Sequence, residues 1–239
     1  TSGEYIAKLT QLKSFECFAM GLSSLDDSFT NLRNLETLVL AANNFNEIPR
    51  IITPENFPNL TKLDLATNRR RTIWDMKTAT LDRALWGGFS YNDEDNFPRW
   101  LLEWDKLEYL RLSNNYMQGE IPDMEDYGIR YTAEEVAVND TLPNGLNNPA
   151  RYNLAGKPKV LPNAKFFAIN LNLYTGKIPE WILYHPHLME WAPEILVFNQ
   201  DTELTDMEGR IPGFSNVPES PDYYYEAYPL KKPEYYDQY

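Results

Sequence analysis

The sequence predicts a solenoid of stacked short strands. Three observations lead there: an apolar frame recurs at near-constant spacing, most copies end in an asparagine at the same place, and an Ile-Pro pair follows several of them. The frame is Leu35-x-x-Leu38-x-Leu40-x-x-Asn43, repeated as Leu60-x-x-Leu63-x-Leu65-x-x-Asn68 and as Leu107-x-x-Leu110-x-Leu112-x-x-Asn115. A weaker copy runs Ala164-x-x-Phe167-x-Ile169-x-x-Asn172. Two degenerate copies are Leu12-x-x-Phe15-x-Cys17 and Ala84-x-x-Gly87-x-Phe89-x-x-Asn92. A last copy starts near Ala192 and passes through Ile195 and Val197. The starts at 12, 35, 60, 84 and 107 are 23, 25, 24 and 23 residues apart, a regularity that marks a repeat array.

Each element of the frame has a physical cause. Apolar residues two apart leave a strand on the same side, toward a core. So short a strand cannot bury its own apolar face, so neighbours must stack in register and share one core. The asparagine falls where the chain turns off the strand. There its amide can satisfy backbone groups of its own and the adjacent turn, and Asn43, Asn68, Asn92, Asn115 and Asn172 are expected to form a ladder. The second signal is Gly119-Glu120-Ile121-Pro122, Gly176-Lys177-Ile178-Pro179 and Gly209-Arg210-Ile211-Pro212, with variants Ile48-Pro49 and Phe97-Pro98. The apolar residue anchors a return segment, and the proline ends ladder pairing.

Over residues 12–212 this pattern resembles the leucine-rich-repeat superfamily, in its plant-type class LxxLxLxxNxLxGxIP. The resemblance implies an α/β fold: a right-handed solenoid with a short parallel sheet on its concave side, an irregular convex side, and ligands bound on the concave face. Plant members commonly carry paired cysteines in their caps, whereas this chain has Cys17 alone. A bacterial secreted or surface member therefore fits the resemblance better than a plant receptor. Residues 1–212 are read as the repeat domain, with about seven repeats and an insertion near 123–160. Such an insertion is either a binding loop or a tolerated surface loop. Residues 213–239 form a Pro/Tyr-rich tail, with Tyr223-Tyr224-Tyr225 and Tyr235-Tyr236. It is read as a cap over the open solenoid end rather than a free arm.

Composition narrows the function classes. The 239 residues are 43% hydrophobic, enough for a core, and the formal net charge is -13. Such a charge repels phosphate backbones and anionic lipid, so nucleic acid is not an expected partner. The run Arg69-Arg70-Arg71 reads as a solvated loop rather than an anion site. No apolar stretch is long enough to span a bilayer, so no membrane insertion by this segment is expected. The opening Thr1-Ser2-Gly3, without an initiator Met or a leader, reads as the start of an excised or processed piece.

Catalytic signals are weak. His185-Pro186-His187 reads as a turn between repeats, since two histidines without a third ligand make a poor metal site. Cys17 sits at a core-facing position and reads as a buried thiol. No Gly-x-Ser-x-Gly elbow or phosphate-binding loop occurs. Acids such as Asp93-Glu94-Asp95 and Asp123, Glu125 and Asp126 read as solvated loops without calcium-loop spacing. The sequons Asn59-Leu60-Thr61 and Asn139-Asp140-Thr141 are no more than chance supplies. Catalytic residues, a metal and a cofactor are all expected to be absent.

The sharper constellation comes from the residues flanking the inward positions. The third position of each copy reads Ser14, Thr37, Lys62, Trp86, Tyr109, Phe166 and Glu194, which sets Trp86, Tyr109 and Phe166 side by side on the concave face. Tyr91, Asp64, Arg111, Asn114 and Asn170 fall in adjacent columns. An aromatic row with polar neighbours marks a binding surface. The alternatives are that the insertion or tail covers it, or that Trp86 belongs to the core of a misframed copy. The expectation is a non-catalytic recognition module, extracellular or on a bacterial cell surface, binding protein, peptide or glycan on that face. The alternative is a structural or adhesion spacer of a larger cell-surface protein.

Overall fold

A computed structural model describes residues 5–45, 47–68, 97–115, 117–138, 154–170, 172–175, 179–183 and 185–191. Its main element is a five-stranded parallel sheet made of β1 (Ser14–Glu16), β2 (Thr37–Val39), β3 (Lys62–Asp64), β4 (Tyr109–Arg111) and β6 (Phe166–Ala168), in that spatial order. The register follows the sequence frame without slip: Ser14, Thr37, Lys62, Tyr109 and Phe166 are successive partners. Each strand is three residues long, so a one-residue slip would turn every leucine outward.

The apolar frame positions stack as columns beneath the sheet. Leu38, Leu63, Leu110 and Phe167 form one; Leu40, Leu65, Leu112 and Ile169 form a second; Leu35, Leu60, Leu107 and Ala164 form a third, and all twelve are buried. On the return side Phe45, Ile48, Phe57, Phe97, Trp104 and Ile121 close the same core. A second sheet pairs β5 (Gln118–Glu120) with β7 (Leu173–Thr175) in parallel. The sequence frame took Ile121 as the anchor of the return segment and assigned no strand to the residues before it, whereas Gln118–Glu120 form one just after the asparagine turn.

The asparagine ladder is present at Asn43, Asn68, Asn115 and Asn172, all buried. Asn68 donates its amide to Leu65 O at 2.8 Å and to Leu40 O of the preceding repeat at 3.0 Å. Its backbone N–H in turn donates to Asn115 Oδ1 at 2.7 Å. A second, exposed ladder lies one residue before each frame. Asn34 donates to Thr10 O, Asn59 to Arg33 O, Lys106 to Pro58 O and Asn163 to Asp105 O, at 2.7–3.1 Å.

This geometry corrects one expectation. β3 bonds directly to β4, with Lys62 opposite Tyr109, and the ladder steps from Asn68 straight to Asn115. The places beside Tyr109 in the sheet are thus held by Lys62 and Phe166, not by the residue expected from the copy at 84–92; Trp86 and Asn92 themselves lie outside the described residues. The copy matches the frame only at Phe89 and Asn92, because Gly87 stands where a leucine would anchor the strand. Five repeats stack in the sheet among the described residues; the copies at 84–92 and from Ala192, which complete the seven expected over 1–212, lie outside them. The tail at 213–239 lies outside the described residues.

The insertion after Pro122 packs, where described, on the return side. Trp181 of the next repeat donates its indole N–H to Pro122 O at 2.8 Å, and Lys157 pairs with Glu180 at 2.9 Å. Thr132 and Glu135 cap the short helix Ala133–Val138 reciprocally: Thr132 N–H donates to Glu135 and Glu135 N–H to Thr132 Oγ1.

The residue just before Asn43, Asn68 and Asn115 is left-handed: Ala42, Thr67 and Asn114 have φ of 59°, 59° and 62°, and Ala19, at the equivalent place before Met20, has 56°. Asparagine tolerates this conformation, but a β-branched residue is strained there. Thr67→Asn is therefore expected to raise stability by about 1 kcal/mol, since Thr67 is exposed and the new carbonyl can still accept from Asn114. A thermal melt no higher than that of the parent would contradict this.

Candidate functional site

Alternation on three neighbouring strands sends six side chains to the open face of the sheet: Lys62 and Asp64 from β3, Tyr109 and Arg111 from β4, Phe166 and Ala168 from β6. Tyr109 and Phe166 stack face to face, with centroids 4.2 Å apart and planes 5° apart. The Lys62 ammonium lies 5.0 Å from the Tyr109 centroid, in cation–π range. Both rings remain part-exposed. The row is thus Lys62–Tyr109–Phe166, one aromatic shorter than the sequence suggested.

Beside the row, Asp64 is buried and accepts the Ala66 N–H at 3.0 Å. Its second oxygen, Oδ2, sits 3.8 Å from Arg111 Nη1, the long end of ion-pair range, while the Arg111 side chain is 45% exposed. Burial pushes the Asp64 carboxyl above the usual range, against the lowering effects of the Ala66 hydrogen bond, Arg111 and Lys62. Burial also raises the Tyr109 phenol, helped by the Asp64 charge and opposed by Arg111. Phenol and carboxylate therefore both face one guanidinium.

At the C-terminal edge of the face, Ser113 Oγ donates to Asn170 Oδ1, and Asn114 donates its side-chain amide to Thr67 Oγ1 at 3.3 Å. The Asn114 carbonyl oxygen is buried without a hydrogen-bond partner. Of the eight site residues expected from sequence, the structure brings together Asp64, Tyr109, Arg111 and Phe166, with Asn114 and Asn170 at the edge. Trp86 and Tyr91 lie outside the described residues. Lys62 and Ser113 were missed as site members, although the repeat frame already placed Lys62 in the aromatic column.

Elsewhere the titratable groups serve the core. His185 is fully buried and stacks on Trp191 at 3.9 Å between centroids. Its Nδ1 accepts the His187 N–H, so Nε2 carries the proton and donates to Val160 O at 2.9 Å. With both nitrogens engaged and its pKa pushed down to about 3 by burial and by His187, it has no free base to offer. Cys17 is partly buried against the core, and burial raises its thiol pKa. Among the described residues, no group of three or more His, Cys, Asp or Glu could hold a metal ion, and no helix is long and apolar enough to cross a membrane.

The family model of the leucine-rich repeat matches residues 106–124, which begin at the β4 frame and run through Ile121-Pro122. Residues 106–124 carry a leucine-rich repeat, and the stacked parallel strands have the fold of a leucine-rich-repeat solenoid. Among solved structures, this solenoid is similar to a leucine-rich-repeat protein of Leptospira interrogans, at 22% identity and TM-score 0.40, over 75% of this chain and 30% of that one. It is similar to the Arabidopsis receptor kinase HAESA, solved with the peptide hormone IDA and the co-receptor SERK1, at 22% identity and TM-score 0.44, over 76% and 21%. It is similar also to the Arabidopsis BIR2 ectodomain, at 20% and 0.45, over 86% and 70%. The leucine-rich-repeat chain thus spans less than a third of the length of the first two structures. No curated protein matches its sequence.

Proposed function

We propose that the open, concave face of this solenoid is a recognition surface, centred on Tyr109 and Phe166, that binds a protein or peptide segment. The stacked, part-exposed ring pair beside the Asp64–Arg111 pair is the observation behind this reading. Aromatics left half in water, next to ordered polar groups, resemble the anchor clusters of interfaces rather than an inert sheet.

The ring arrangement favours a peptide over a glycan. A sugar stacks on an open ring face, and both faces of Tyr109 are covered, one by Phe166 and the other by Lys62. What Tyr109 offers outward is its edge, which attracts carbonyl and carboxylate oxygens. Display outside the cell, implied by the repeat class, is part of the same proposal.

The test is to screen the chain against immobilised glycans and a random peptide library, then repeat it with the Tyr109→Ala/Phe166→Ala double variant. Losing the two anchors is expected to weaken peptide binding at least about tenfold, with the circular dichroism spectrum unchanged. Binding that the double variant retains in full would remove this face from consideration.

A further inference from the structure

We infer that the segment bound on this face is acidic: a carboxylate sits between Lys62 and Arg111, and the apolar side chain next to it lies against Phe166. This rests on the reading of the face as a recognition surface and narrows what that surface takes.

The charges decide it. Lys62 and Arg111 occupy adjacent strands two positions apart, so their backbones stand roughly 8 Å apart across the sheet, a gap that two long side chains can close on one carboxylate. Among the described residues Lys62 has no ion-pair partner; its ammonium rests on the Tyr109 ring, a weaker interaction than a carboxylate would supply. Arg111 faces the Tyr109 phenol and the distant Asp64 oxygen, and nearly half of its side chain is in water.

Among the described residues, the chain's own carboxylates are placed elsewhere. Asp64 lies beneath the surface, tied to Ala66. Glu36 pairs with Lys13 at 2.8 Å, and Glu16 accepts the Ser14 hydroxyl at 2.9 Å, both at the N-terminal end of the sheet. Glu108 precedes Tyr109 directly, so strand alternation puts it on the opposite parity from Tyr109 and Arg111. The three-strand patch therefore carries two cations against one buried anion, a local positive field on a chain whose formal net charge is -13. Ala168, beside Arg111, is buried, so an apolar neighbour of the acid would rest on the part-exposed Phe166 ring.

The experiment is a selection of a random dodecapeptide library on the immobilised chain, followed by titration of the best peptide against Lys62→Gln, Lys62→Arg and the Tyr109→Ala/Phe166→Ala variant. The expected winners carry Asp or Glu next to an aromatic or aliphatic residue. Lys62→Gln, or an amide in place of the peptide's acid, is expected to weaken binding about tenfold; the two losses together are smaller than their product, and Lys62→Arg restores most of the affinity. Peptides that need Tyr109 and Phe166 but carry no acid, or that ignore Lys62→Gln, overturn the acidic ligand and leave the recognition surface standing. Selection of no peptide that depends on Tyr109 and Phe166 overturns both. Unchanged melting of Lys62→Gln separates lost contact from lost fold.

Discussion

Asn115→Ala is expected to destabilise the protein by about 3–5 kcal/mol, several times the loss from Asn34→Ala. The Asn115 side chain donates to Leu112 O at 2.9 Å and to Leu65 O of the preceding repeat at 3.1 Å, and its own oxygen accepts the Asn68 N–H. All of this lies where water does not reach, since Asn115, Asn68, Leu65 and Leu112 are fully buried. Removing the amide strands the Asn68 N–H, with an unmet desolvation penalty of about 1–3 kcal/mol, and takes one of two side-chain amide bonds from each of Leu65 O and Leu112 O, which keep those from Asn68 and Asn172. Asn34 makes a bond of similar length to Thr10 O, but it is exposed and water replaces the lost partner. Denaturant midpoints for the two variants make the comparison; an Asn115→Ala loss below about 1 kcal/mol would mean that the ladder decorates the stack rather than holding it. Asn115→Asp is expected to be as harmful, because it keeps the acceptor, loses both donors and buries a charge.

Acid is expected to unfold the protein through His185. Its folded pKa is pushed down to about 3, first by burial and then by His187, against an unfolded value near 6.5. With the folded value below the unfolded one, the unfolded chain binds the proton first. Above about pH 6.5 the group costs nothing, and below it stability falls by about 1.4 kcal/mol per pH unit until pH approaches 3. The comparison is with His185→Gln, which can still donate toward Val160 O but does not titrate. The stability advantage of the parent over this variant is expected to shrink by about 2 kcal/mol between pH 6.5 and 5. Carboxylates held low by partners, such as Asp126 on Arg99, also lose stability in acid, but they are common to both proteins and cancel in the difference. Parallel stability profiles for parent and variant over that range would show that His185 is not the titrating group.

The strands at 14, 37, 62, 109 and 166, their register and the buried asparagines were legible in the sequence. Each depends on a local spacing that repeats, and a strand with Leu at alternate positions has one face it can bury. The pairing of Tyr109 with Phe166 followed from that register alone. Two things did not follow. The frame at 84–92 has the right spacing but lacks the anchoring leucine at Gly87, and spacing alone does not say which strands meet when an excursion leaves and rejoins the stack. The partly polar segment Gln118–Glu120 has no apolar alternation of its own, so it showed as a strand only through its partner Leu173–Thr175.

The sequence by itself thus determined the repeat, its inward columns and the amide ladder, because these are properties of one short segment copied along the chain. Tertiary structure alone decided that Lys62 stands beside Tyr109, that Asp64 lies buried while Arg111 reaches into water, and that His185 is sealed against Trp191. Those outcomes depend on which distant repeats come into contact and how much water each contact excludes, and no local pattern encodes either quantity.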